Sequence, residues 1–102
     1  MADLSQEEWV EKLENDENAF ILDVRTPEEF EQGQIPESTN LNIYLGQEFL
    51  EELEKLDKTR NYYVYCRSGQ RSRQACAIMN SIGISNAYNL MGGILEWNGD
   101  IV

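Results

Sequence analysis

Two short runs of strand-forming residues, FILDV at positions 20–24 and YYVYC at 62–66, are each followed at once by turn chemistry and a helix-opening pattern. A strand that feeds a helix through a short loop, twice in 102 residues, constrains the fold strongly. The crossover helix returns the chain to the same end of the sheet, so successive strands lie parallel.

The helices are legible from their caps. Ser5 begins S-Q-E-E, a capping box in which Glu8 reaches back to the cap. Leu4 and Trp9 are spaced as a hydrophobic staple, and Trp9, Val10 and Leu13 form an inner stripe. Thr26 begins T-P-E-E, with Pro27 at the first helical position and Glu29 closing a second box; Gly33 ends that helix. A short strand at 39–43 (TNLNI) and a helix over about 46–56, with Phe49, Leu50, Leu53 and Leu56 on one face, come next. A helix over 71–82 turns Ala75, Cys76, Met79 and Ile82 inward, and Gly83 stops it. A strand at 86–90 (NAYNL) and a helical turn from Ile94 complete the alternation. The expected fold class is α/β, one domain over residues 1–102, with a mainly parallel sheet and helices on both faces. In such sheets ligands bind beyond the carboxyl ends of the strands, where Cys66 stands.

Charge narrows the function. The chain has 19 acidic and 8 basic residues, which opposes nucleic acid and anionic membrane as partners. Residues 1–57 hold 17 of the acids against three bases, whereas residues 58–95 hold five bases and no acid. Two readings fit: acidic helices that simply keep the domain soluble, or a locally positive site built into an acidic body, with the cysteine stretch inside the acid-free window. No apolar run approaches the roughly 20 residues of a membrane span, and MADLSQEEW lacks a secretory leader's basic start and apolar stretch. Two cysteines ten residues apart then suggest reduced thiols in the cytoplasm and no disulfide.

The chemistry concentrates in CRSGQRS, residues 66–72. Between the strand end and the helix the backbone must turn sharply, which Gly69 permits. Successive N–H groups in such a turn form a nest, and the first helical turn adds unpaired donors. A cysteine centred there is stabilised as thiolate. Arg67 and Arg71 read as mobile cationic forks for an oxyanion arriving at the sulfur. Cys76, on the apolar stripe, reads as core. The absence of histidine excludes cysteine–histidine proteases and amidotransferases, and the usual zinc sites. C-x-x-C and Walker-type loops are also missing. What remains is thiolate chemistry without a separate base.

DVRTPEEF, GQIP, CRSGQRS and YNLMGGILEW together resemble the rhodanese-like domain family, over about residues 4–98. The resemblance implies a three-layer domain with a five-stranded parallel sheet, Leu4 lying in a short first strand. It implies that Cys66 is catalytic and carries a transferable sulfur as persulfide. Arg67, Ser68, Gly69, Gln70 and Arg71 would cradle that sulfur, with Ser72 at the helix start and Asp23 and Arg25 as structural anchors nearby. The chain departs from the family in having Gln34 where histidine is common, and no segment far beyond Trp97 is expected to contribute to an acceptor surface. Four residues separate Cys66 from Arg71. Phosphatases and arsenate reductases of this fold have five there, making a wider cup for a tetrahedral anion. Sulfur transfer is thus favoured over those activities, and the intact cysteine and loop arginines favour it over non-catalytic partner docking. The expected partners are a small sulfur-containing anion (thiosulfate or a persulfide) and a thiol or protein acceptor, with no cofactor or metal.

Overall fold

The computed structural model describes residues 2–102. Its strands are β1 (Ala2–Leu4), β2 (Ala19–Asp23), β3 (Thr39–Asn40), β4 (Asn61–Tyr65) and β5 (Ala87–Leu90). Its α-helices are α1 (Gln6–Glu14), α2 (Pro27–Glu31), α3 (Gln47–Glu54) and α4 (Gln70–Ser81), with 3₁₀ turns at Ile43–Leu45 and Ile94–Glu96. All five strands pair in parallel, in the order β1-β5-β4-β2-β3. The order reverses between β4 and β2, the kind of switch point beyond which α/β sheets open a crevice.

Both capping boxes form as the sequence dictates. The Ser5 hydroxyl accepts the Glu8 N–H while the Glu8 carboxylate accepts the Ser5 N–H, and Thr26 and Glu29 do the same. The short strand expected at 39–43 pairs over only Thr39–Asn40. Asn42 then accepts the Tyr44 N–H and curls the chain into a 3₁₀ turn.

β4 shows why the sheet must be covered twice. Its side chains alternate between faces, and both faces are apolar: Tyr63 and Tyr65 on one, Tyr62 and Val64 on the other. On the first face Trp9 of α1 meets Tyr63, Tyr65 and Trp97 edge-on, at centroid distances of 5.7, 6.5 and 5.7 Å. On the second, Phe49 and Leu53 of α3 and Ala75, Cys76 and Met79 of α4 pack against Leu22 and Val64. Each such fully buried large side chain contributes about 1.5–3 kcal/mol. Clamped from both sides, β4 is a firm base for the loop that follows it. Among the described residues no helix is long and apolar enough to cross a membrane.

Candidate active site

β4, the sheet's middle strand, delivers the chain to Cys66, and the backbone doubles back through Arg67, Ser68 and Gly69 before α4 begins. Gly69 takes φ 102° and ψ −8°, a left-handed conformation that a side chain resists. That conformation aims its N–H at the Cys66 sulfur, 3.1 Å away. The Ser72 hydroxyl, in the first turn of α4, lies 3.3 Å from the same sulfur. No side chain caps α4, which leaves its first-turn amides for the sulfur.

The electrostatic result is a cup for a negative sulfur. Cys66 is only 1 % exposed, and burial alone pushes a thiol upward. The Ser72 hydroxyl and the amides of Ser72, Gly69 and Ser68 outweigh burial, so Cys66 ionises below its ordinary value. Each hydrogen bond to a charged group contributes about 1.5–3 kcal/mol, enough for a few to prevail. Cys76 behaves oppositely, since burial pushes its thiol up to about 12.

Two braces hold the cup from outside its own segment. The Ile94 and Leu95 amides donate to the Cys66 and Arg67 carbonyls, both at 3.0 Å. Gly93 makes this approach possible: with φ 60°, a Cβ there would stand 2.4 Å from the Arg67 carbonyl oxygen. From β5, the Asn89 amide nitrogen donates to the Gly69 carbonyl at 3.2 Å and to Asp3 Oδ1 at 2.8 Å. Sequence reasoning did not reach Asn89 or Gly93. Their signals were a polar residue inside an apolar strand and an unexplained glycine pair after it.

The arginines differ from expectation. Arg67 lies in solvent with no ion-pair partner among the described residues, and Ser68 and Gln70 are also exposed. Arg71 is not a mobile fork. Its two terminal nitrogens donate to both oxygens of Glu29, at 2.7 and 2.9 Å, and its guanidinium lies over the Tyr44 ring. Arg73 pairs with Asp3 at 2.6 Å. The positive patch suggested by the acid-free window is therefore largely neutralised by two acids distant in sequence.

Arg71 is the main reason that Glu29 is held down to about 2, although partial burial opposes it. A carboxyl depressed in the fold contributes stability above its ordinary range, and loses it as pH falls through the folded value. Glu29→Gln is accordingly expected to destabilise by on the order of 2 kcal/mol at pH 7, after discounting for exposure. The difference from wild type should shrink from about pH 5 and vanish near pH 2 in urea unfolding. A pH-independent difference would mean that the ion pair is not its source.

Beside the cup, at the end of β2, Asp23 and Arg25 form a buried pair, 0 % and 5 % exposed. Arg25 Nη2 donates to Asp23 Oδ2 at 2.6 Å and to the Gly33 carbonyl at 2.8 Å. Gln34 pairs through its backbone with Val102. Among the described residues no group of three or more His, Cys, Asp or Glu converges as a metal site.

The sequence model described as a rhodanese-like domain matches residues 6–100. A protein named sulfurtransferase from Allochromatium vinosum is 36% identical over 95 residues, covering 93% of this chain and 86% of that protein. A putative sulfurtransferase of Bacillus subtilis, YtwF, is 38% identical, covering 88% and 84%. Among solved structures, a rhodanese-like domain protein from Staphylococcus aureus superposes with a TM-score of 0.82 at 31% identity, covering 98% and 93%. A rhodanese-related protein from Thermoplasma volcanium reaches 0.84 at 27% identity, covering 100% and 98%.

Proposed function

The chain belongs to the rhodanese-like domain family, and from that premise we propose that it is a sulfurtransferase carrying sulfane sulfur on Cys66. One observation carries the reading: the Cys66 sulfur sits in a short loop with the Gly69 N–H and Ser72 hydroxyl at 3.1 and 3.3 Å. The Cys66 thiolate attacks the outer sulfur of thiosulfate, a new S–S bond forms, and sulfite leaves with the electron pair of the broken bond. Arg67, exposed and without an ion-pair partner among the described residues, meets the departing sulfite. The persulfide's negative outer sulfur is then held by the loop amides and the dipole of α4. A nucleophile takes that sulfur and the thiolate is restored: a thiol or protein cysteine in the cell, cyanide in an assay. Arg71, locked to Glu29, contributes a fixed positive charge near the sulfur.

Access favours sulfur over phosphorus. With Cys66 1 % exposed, a slim terminal sulfur suits the opening better than a tetrahedral anion. Thiosulfate and cyanide should therefore yield thiocyanate catalytically, whereas an aryl phosphate should not be hydrolysed. Hydrolysis without thiocyanate formation would assign the loop to phosphoryl transfer. Neither activity, with thiosulfate or with a small-molecule persulfide as donor, would leave a docking module.

A further inference from the structure

Ser72 has one hydroxyl hydrogen and two acceptors competing for it. Its oxygen lies 3.3 Å from the Cys66 sulfur and 2.5 Å from Asn89 Oδ1. The orientation of Asn89 is fixed by its other end, where the amide nitrogen donates to Asp3 Oδ1 and the Gly69 carbonyl. Reversing the amide would set its oxygen against a carboxylate and a carbonyl. The Asn89 oxygen is thus committed to Ser72, in a site where Ser72 and Asn89 are 0 % and 2 % exposed and water is largely shut out.

We propose that Asn89 is a positioning residue that competes with the Cys66 sulfur for the Ser72 hydrogen, and so sets how strongly the thiolate is stabilised. When the sulfur is uncharged, as thiol or as the inner atom of a persulfide, the hydrogen rests on Asn89. When Cys66 ionises, it turns to the sulfur and leaves the Asn89 oxygen without a donor. An unpaired buried acceptor is unfavourable, so Asn89 restrains the thiolate from becoming too stable to attack. This rests on the sulfurtransferase reading for its purpose, though not for its chemistry.

In sulfur discharge the hydrogen moves the same way. Cyanide attacks the outer sulfur of the Cys66 persulfide, a C–S bond forms and the S–S bond breaks. Its electron pair stays on Cys66, giving thiocyanate and thiolate. The Ser72 hydrogen swings from Asn89 to the sulfur as that charge develops. Most of the charges around Cys66 are held in ion pairs. Glu29 of α2 is paired with Arg71 of α4, Asp3 of β1 with Arg73 of α4, and Asp23 with Arg25 beyond β2. Arg67 of the loop is exposed to solvent, and burial pushes the Cys76 thiol of α4 up to about 12.

The test is the pH midpoint of iodoacetamide alkylation at Cys66, read without any sulfur donor in a Cys76→Ala background. Ser72→Ala should raise the midpoint by about one pH unit, and Asn89→Leu should lower it by a similar amount. Damage to the cup would do the opposite in Asn89→Leu, because the Gly69 amide would drift from the sulfur. The double variant should not fall below Ser72→Ala, since the competition for the hydrogen acts only through Ser72. A midpoint that rises or stays put in Asn89→Leu, or an additive double variant, overturns the proposal. Should Asn89→Leu not fold, the ¹³Cγ resonance of Asn89 in the otherwise intact protein serves instead. It should titrate with the Cys66 midpoint, and a resonance blind to Cys66 ionisation overturns the proposal equally. If the midpoints move as stated but no persulfide forms, the hydrogen competition stands and the sulfurtransferase reading fails.

Discussion

Cys66→Ala is expected to remove sulfur transfer completely, while Cys76→Ala keeps at least half of it and loses about 1–2 kcal/mol of stability. Both cysteines are buried on the same face of the sheet, so burial does not distinguish them. Hydrogen bonding does. The Cys66 sulfur receives the Gly69 amide and the Ser72 hydroxyl and ionises readily, whereas Cys76 is pushed up to about 12 by burial among apolar neighbours. At neutral pH nearly all Cys76 is thiol, and a thiol is a poor nucleophile. Steady-state thiocyanate formation and urea unfolding of the two variants check both halves. Transfer surviving in Cys66→Ala would assign the chemistry to the wrong sulfur.

The second large effect is on folding. Asp23→Ala should destabilise the domain by about 3–5 kcal/mol, because it leaves the Arg25 guanidinium buried without its counter-charge. For a domain of this size that is a large share of a total on the order of 5–15 kcal/mol. Asp23 accepts the Arg25 backbone N–H at 2.9 Å as well as its side chain, and Arg25 in turn ties down the Gly33 carbonyl beyond α2. The variant thus loses a charge partner and a turn constraint together. Replacing both residues by apolar ones of similar volume should be far milder than removing Asp23 alone. Equal losses from the single and double replacements would show that packing, not charge, holds this corner.

Features that depend on neighbouring residues were legible in the sequence. The two capping boxes needed only S-x-x-E and T-x-x-E, and both helices start where those patterns put them. The alternation of strands and helices, and the mainly parallel sheet expected from it, came from residue patterns of similar range, and all five strands pair in parallel. Strand limits moved by one residue: β2 and β4 begin at Ala19 and Asn61 because each gains a partner across the sheet there. β1 has only three residues, too few for any periodicity, and only the family resemblance pointed to it.

The site divides in the same way. Cys66, Gly69 and Ser72 lie within seven residues, so their convergence could be inferred from one loop. Arg71 was misjudged as mobile because its partner Glu29 lies 42 residues earlier and had already been assigned a capping role. Glu29 does both, accepting the Thr26 amide and the Arg71 guanidinium on the same carboxylate. The acid-free window misled for a related reason, since charges segregated along a chain need not be segregated in space. Asn89 and Gly93 reach the cup from beyond α4, at a range where local patterns say nothing.

The central claim is that Cys66 accepts and holds a sulfur atom, and intact-protein mass spectrometry after thiosulfate treatment reads it most directly. The protein should gain the mass of one sulfur, located on the peptide containing Cys66, and cyanide should remove it with release of an equal amount of thiocyanate. Cys76→Ala should load to the same extent. No added mass with either thiosulfate or a small-molecule persulfide, or an added sulfur on Cys76, would contradict the account.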